Sequence, residues 1–134
     1  MIDDLIKSIK KNEGFVEHVY KDSKGLDTIG YGILMPITEH EASLMLRYRL
    51  NNKIKTLQDA KPSIISFPDE VQKVLYEMAY QLGVDGLLAF KNTWNFLEDW
   101  EFEKASVEML DSKWAKIDSP SRAKELSNSM KRAI

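Results

Sequence analysis

There is no cysteine in this chain of 134 residues. That removes both a disulfide framework and a thiolate metal site, so packing alone has to hold the fold. The absence suits a reducing compartment. Histidine is nearly absent too. His18 and His40 offer no metal-ligand spacing, and no metal or other cofactor is expected. They also leave no credible Ser-His-Asp arrangement. No apolar run approaches the length needed to cross a bilayer, so no membrane insertion is expected. The opening stretch MIDDLIKSIKKNEGF is acidic at Asp3 and Asp4 and broken by lysines, unlike the basic start and apolar run of a signal peptide. Neither sign of charge dominates. Nineteen Lys and Arg face 21 Asp and Glu, a formal charge of −2. Nucleic-acid binding is not expected from that balance, nor is long-range attraction to an anionic polymer. Gly30-Tyr31-Gly32 is no dinucleotide loop, because it lacks the third glycine and the βαβ setting.

What remains is ordinary globular composition, 43% hydrophobic and 30% charged, and a length suited to one domain or two small lobes sharing a helix. Ile2, Leu5, Ile6 and Ile9 recur at helical spacing and predict a helix over 3–12, stopped by Gly14, with Glu13 at its end. Residues 15–34 change character. Val16, Val19 and Tyr20 lead into the turn cluster Lys21-Asp22-Ser23-Lys24-Gly25, and Thr28-Ile29-Gly30-Tyr31-Gly32-Ile33-Leu34 follows, which together predict a small antiparallel hairpin sheet. Pro36 ends it. Thr38 and Glu41 have capping-box spacing ahead of a long helix over 39–58. Ser66-Phe67-Pro68-Asp69-Glu70 opens a helix that carries Val71, Val74, Leu75, Met78 and Leu82 and stops at Gly83. Short helices are expected near 85–90 and 92–98, and two more over 101–112 and 120–132. The order predicts an α+β fold, a small sheet followed by a dominant helical part.

Glu13 and Asp22 are the carboxylates most suggestive of chemistry. Glycoside hydrolysis needs two carboxyl groups in different states, one to protonate the leaving oxygen and one to activate water or attack the sugar. A helix end and a neighbouring hairpin can hold such a pair across a cleft. Spacing alone favours the plainer reading, a helix-end charge at Glu13 and a turn former at Asp22, because with 21 acidic residues some pair flanking a loop is expected by chance.

The segment Asn12-Glu13-Gly14-Phe15, Tyr20-Lys21-Asp22, Gly25 and Thr28-Ile29-Gly30-Tyr31-Gly32 closely resembles the active-site segment of the phage-type lysozymes, glycoside hydrolase family 24. Both separations match, nine residues from Glu13 to Asp22 and six from Asp22 to Thr28. Phe67 to Leu82 with Gly83, Gly86 and Ala89-Phe90-Lys91-Asn92-Thr93 looks like the family's core helix and the loop after it. Ser112-Lys113-Trp114 and Ser119-Pro120-Ser121-Arg122-Ala123-Lys124 look like its late helices. The resemblance covers most of the chain.

The resemblance implies a single lysozyme-like domain over 1–134. Its sheet lobe would span about 13–36, and its helical lobe about 60–134 together with helix 3–12, the two joined by the long helix. It implies a muramidase that cuts the β-1,4 bond between N-acetylmuramic acid and N-acetylglucosamine in peptidoglycan, with inversion. Glu13 would be the general acid, Asp22 would orient water or the cationic transition state, and Thr28 would hold the water. Arg122 matches an arginine that pairs with the acidic glutamate. Such a pair favours the ionised acid, so Arg122 would position Glu13. Leu34, Tyr80, Gln81 and Thr93 match substrate contacts, with plainer readings as core for Leu34 and Tyr80, surface for Gln81 and helix cap for Thr93. Trp114 reads as core. Glu108 stands where the family has an asparagine contact and is not assigned to substrate. Ile33 replaces a histidine. A stretch of family sequence between sheet and long helix is missing, so the sheet lobe should be unusually small. The implied partner is the peptidoglycan glycan strand and the expected state a monomer. The expected location is the host bacterial cytoplasm until the membrane is permeabilised. Two other functions remain open, a lytic transglycosylase and a non-catalytic wall-binding protein of the same fold. Asp22 and Thr28 weigh against the first, because that chemistry needs no held water.

Overall fold

The computed structural model describes residues 1–133; Ile134, the last residue of the expected helical lobe, lies outside the described residues. The fold is the expected α+β arrangement, a small three-stranded antiparallel sheet followed by helices. The chain divides into two compact units, Met1–Met45 and Leu46–Ile134.

The first unit opens with helix α1 (Ile2–Glu13). Asp3 and Asp4 lie in its first turn and Lys10 and Lys11 in its last, each sign at the end the helix dipole favours. Gly14 closes it, donating its N–H to the Lys10 carbonyl. No residue of this unit covers the stripe of Ile2, Leu5, Ile6 and Ile9. Strands β1 (Val16–Lys21), β2 (Asp27–Gly30) and β3 (Ile33–Leu34) form the sheet in that order, with a bulge in β1 between Val16 and Tyr20. Thr28 sits on the middle strand opposite both Tyr20 and Leu34. Among the described residues of this unit it is the one that is buried. The expected capping box is present. Thr38 donates its N–H to Glu41 Oε1 at 2.9 Å, and Glu41 donates its own to Thr38 Oγ1 at 3.1 Å. These two bonds satisfy donors that the start of a helix leaves without partners. Helix α2 (Glu39–Ala60) follows and carries the chain into the second unit.

The second unit is all helical. A 3-10 turn (Pro62–Ser66) leads to α3 (Asp69–Leu82), α4 (Val84–Leu88), α5 (Lys91–Glu98) and α6 (Phe102–Glu108), then a single π-helical turn (Trp114–Asp118) and α7 (Pro120–Arg132). Helix α3 is central. Val71, Val74, Leu75, Met78 and Ala79 fall three and four apart and are buried with Leu57, Leu87, Leu97, Met109 and Met130. The spacing sets one face of the helix inward.

The expected helix over 101–112 is shorter than its pattern suggests. After Glu108 the backbone tightens, with Leu110 and Asp111 bonding carbonyls three residues back. The Ser112 hydroxyl then donates to Met109 O and accepts the Ala115 N–H. That hydroxyl competes with a helical ladder and redirects the chain into the π turn.

Candidate active site

Three side chains of the first unit are held by local devices. The first is Asp22. Its Oδ1 accepts the N–H of Lys24 at 2.8 Å and of Leu26 at 2.9 Å. Its own N–H reaches back to the Leu26 carbonyl at 2.9 Å. Asp22 is thus a turn former, as its sequence setting allowed, and the same bonds fix its carboxylate with Oδ2 outside them.

The second is Thr28, whose hydroxyl donates to the same Leu26 carbonyl at 3.0 Å. Asp22 and Thr28 are therefore tied to one peptide group. With its proton committed there, Thr28 Oγ1 keeps lone pairs for a donor. Leu34 lies across from Thr28 in register, with its side chain about half exposed.

The third is Glu13. Its carboxylate lies over Gly32, where a β-carbon would stand 2.5 Å from Oε2 and 2.7 Å from Cδ. Gly32 also has φ of 68°, a left-handed conformation that glycine alone adopts without strain. Tyr31 anchors the same turn against the helix end. Its ring lies 5.6 Å from that of Phe15, and Lys10 Nζ stands 5.3 Å from its centroid. Such cation–aromatic contacts contribute modestly at exposed sites.

The remaining predicted residues belong to the second unit. Tyr80 is partly exposed and lines an open groove with Leu50, Ile54 and Tyr76. Gln81 is not a bare surface residue. Its Oε1 accepts from Trp114 Nε1 at 3.0 Å, and its Nε2 donates to Ser119 Oγ at 2.6 Å, so it links α3 to the π turn. Trp114 is buried in the core, as expected. Thr93 is buried on α5 rather than capping it; the residue at that helix's N-terminal boundary is Phe90. Arg122 Nε donates to Glu77 Oε2 at 2.7 Å, a pair that is roughly half exposed and therefore screened by solvent. Sequence reasoning had not singled out Gly32 as the seat of Glu13, the Leu26 main chain or Glu77. The first was visible as the glycine that recurs in the quoted segment. A main-chain acceptor at Leu26 leaves no mark in residue type.

A helix ending in a glutamate, followed by a small sheet with an Asp-Thr pair and then by an all-helical unit, defines a lysozyme-type α+β protein. Residues 10–132 match the family model described as phage lysozyme, and the chain belongs to that family. It is similar to a protein of Dictyostelium discoideum named probable T4-type lysozyme 1. The two are 27% identical over 146 aligned positions, which take in 85% of this chain and 86% of that protein. Membership assigns the chain a lysozyme-like function at the level of the family.

Proposed function

We infer that this protein is a muramidase that hydrolyses the β-1,4 bond from N-acetylmuramic acid to N-acetylglucosamine with inversion at the anomeric carbon. The observation that carries this reading is the attachment of Asp22 and Thr28 to the single main-chain carbonyl of Leu26. Protonated Glu13 gives its proton to the glycosidic oxygen as the C–O bond breaks. Water attacks the anomeric carbon from the opposite face. One of its protons passes to the Asp22 carboxylate, and the other is held by Thr28 Oγ1, whose own proton points at Leu26. The sugar leaves with a new hydroxyl, Glu13 is ionised and Asp22 is protonated; exchange with solvent resets both. Leu34 offers an apolar edge beside Thr28 for a sugar ring. In the helical unit the part-exposed Tyr80 offers an aromatic face to a glycan, Thr93 lines a pocket that a wall substituent can enter, and Gln81 braces α3 through Trp114 and Ser119.

Purified cell walls digested in isotopically labelled water, with the anomers read by NMR at early times, test this reading. Inverted reducing ends are expected. Retained configuration would recast Asp22 as a nucleophile. Anhydro-sugar ends would mark a transglycosylase, and tight wall binding without cleavage would mark a non-catalytic binder.

A further inference from the structure

The helical unit holds an open pocket of about 250 Å³ between α5 and the end of α6, lined by Asn92, Thr93, Glu108, Asp111 and Ser112 among others. Its polar groups are unequally committed. Asp111 is neutralised by Lys116, whose Nζ lies 2.5 Å from Oδ1, and that contact holds the Asp111 carboxyl below the usual carboxylate range. Ser112 uses its hydroxyl on Met109 and Ala115. Glu108 forms no ion pair among the described residues. The nearby Lys104 is taken by Glu101 at 3.1 Å, and Asn92 Nδ2 reaches Glu108 Oε1 only at 3.4 Å, too long for a strong bond. Thr93 is 2% exposed, yet its hydroxyl makes no hydrogen bond to another described residue. Among the described residues no fully sealed side-chain polar atom lacks a partner. The Thr93 hydroxyl is therefore not fully sealed, and Thr93 is one of the residues that line the pocket.

We propose that this pocket is the subsite for a primary ammonium group carried by the wall polymer, with Glu108 as the specificity-determining residue. The inference rests on the muramidase reading above. An ammonium presents three donors and no acceptor. The pocket presents the Glu108 carboxylate, the Thr93 hydroxyl oxygen, and Asn92 Oδ1, which is left open when Nδ2 faces Glu108. A carboxylate or phosphate would meet the negative charge of Glu108, and an N-acetyl group would forgo the ion pair. Bacterial walls carry such an ammonium in two places, a glucosamine that has lost its acetyl group and the side-chain amine of the diamino acid in the stem peptide. The chemistry required of the pocket is the same for both.

The test is calorimetric titration of the whole protein with two pairs of soluble probes. One pair is a peptide-free wall tetrasaccharide, fully N-acetylated or with one glucosamine deacetylated. The other is an N-acetylated disaccharide with its stem peptide, the diamino-acid amine free or acetylated. In at least one pair the free amine should bind about tenfold tighter, the usual scale of a charge-assisted hydrogen bond. The isosteric Glu108→Gln should bring that ratio near one, and the pair that responds identifies the source of the amine. Thr93→Val should narrow the ratio without abolishing it. Equal affinity within both pairs, or a preference that survives Glu108→Gln, would overturn the proposal. Both readouts are of binding. An intact preference with no wall cleavage would therefore uphold the subsite and count against hydrolysis alone.

Discussion

The carboxylate of Glu13 rests on the bare α-carbon of Gly32, in space that any other residue at that position would fill. The proposed acid is therefore located by a missing side chain on the β2–β3 turn as much as by its own helix.

Gly32→Ala should separate placement of the acid from folding. The added β-carbon meets the flexible end of Glu13, which can swing away, and the left-handed backbone costs about 1 kcal/mol for a residue with a β-carbon. Thermal unfolding should move by that modest amount, while wall-clearing activity falls about a hundredfold because the acid is displaced. Activity within a few-fold of the parent would show that Glu13 needs no such seat.

Glu13→Gln removes the proton donor and keeps the shape. Glu13 is exposed, so folding should be near normal, and turnover should drop by ~10²–10⁴-fold. A variant that clears walls almost as fast as the parent would exclude Glu13 as the acid.

Asp22 has two duties that substitution can part. Asparagine keeps an oxygen to accept the Lys24 and Leu26 N–H groups; alanine keeps none. Asp22→Asn should therefore unfold close to the parent and be nearly inactive. Asp22→Ala should lose activity and also about 1 kcal/mol of stability. Equal stability of the two would mean that the turn does not depend on that oxygen.

Gln81→Leu tests whether Gln81 is a structural link. It would leave the indole N–H of the buried Trp114 without its acceptor, at a cost of about 1–3 kcal/mol. A melting temperature unchanged from the parent would show that water takes over the bond.

The start of α2 should respond to acid. The Thr38 backbone N–H, and then its hydroxyl, hold the Glu41 carboxyl below the usual range. A depressed folded value means that the contribution is present above the unfolded value and is lost as pH falls through the folded one. The Thr38 amide resonance should report that loss on acidification. In Glu41→Gln, which still accepts the bond, the response should vanish. A variant resonance that still titrates would place the transition elsewhere.

Much of this architecture was legible because single residues announce it. The apolar spacing of α3 with Gly83 after it, the Thr38–Glu41 box and the run from Glu13 to Gly32 all survive as structure. Other features depend on atoms that residue type does not reveal. The π turn follows from how one Ser112 hydroxyl divides its bonds. Glu77 lies 45 positions before Arg122, and no spacing rule marks that pair. The stripe on α1 reads as a core face, yet the sheet beside it is too small to cover it. Glu108 is a departure from the family pattern, and its significance emerges once Asp111 is seen to be neutralised and Thr93 left unpaired.

Leu26 contributes to the proposed chemistry without its side chain. Its N–H serves Asp22, its carbonyl serves both Asp22 and Thr28, and the isobutyl group is about half exposed. A saturation library through the hairpin should find position 26 open to almost every residue except proline, which has no N–H to give. Its neighbours at 22 and 28 should accept almost none. Rankings of importance by tolerance to substitution would pass over the one carbonyl on which both depend, and an ester in place of the Leu26–Asp27 amide, whose carbonyl is a weaker acceptor, would expose it.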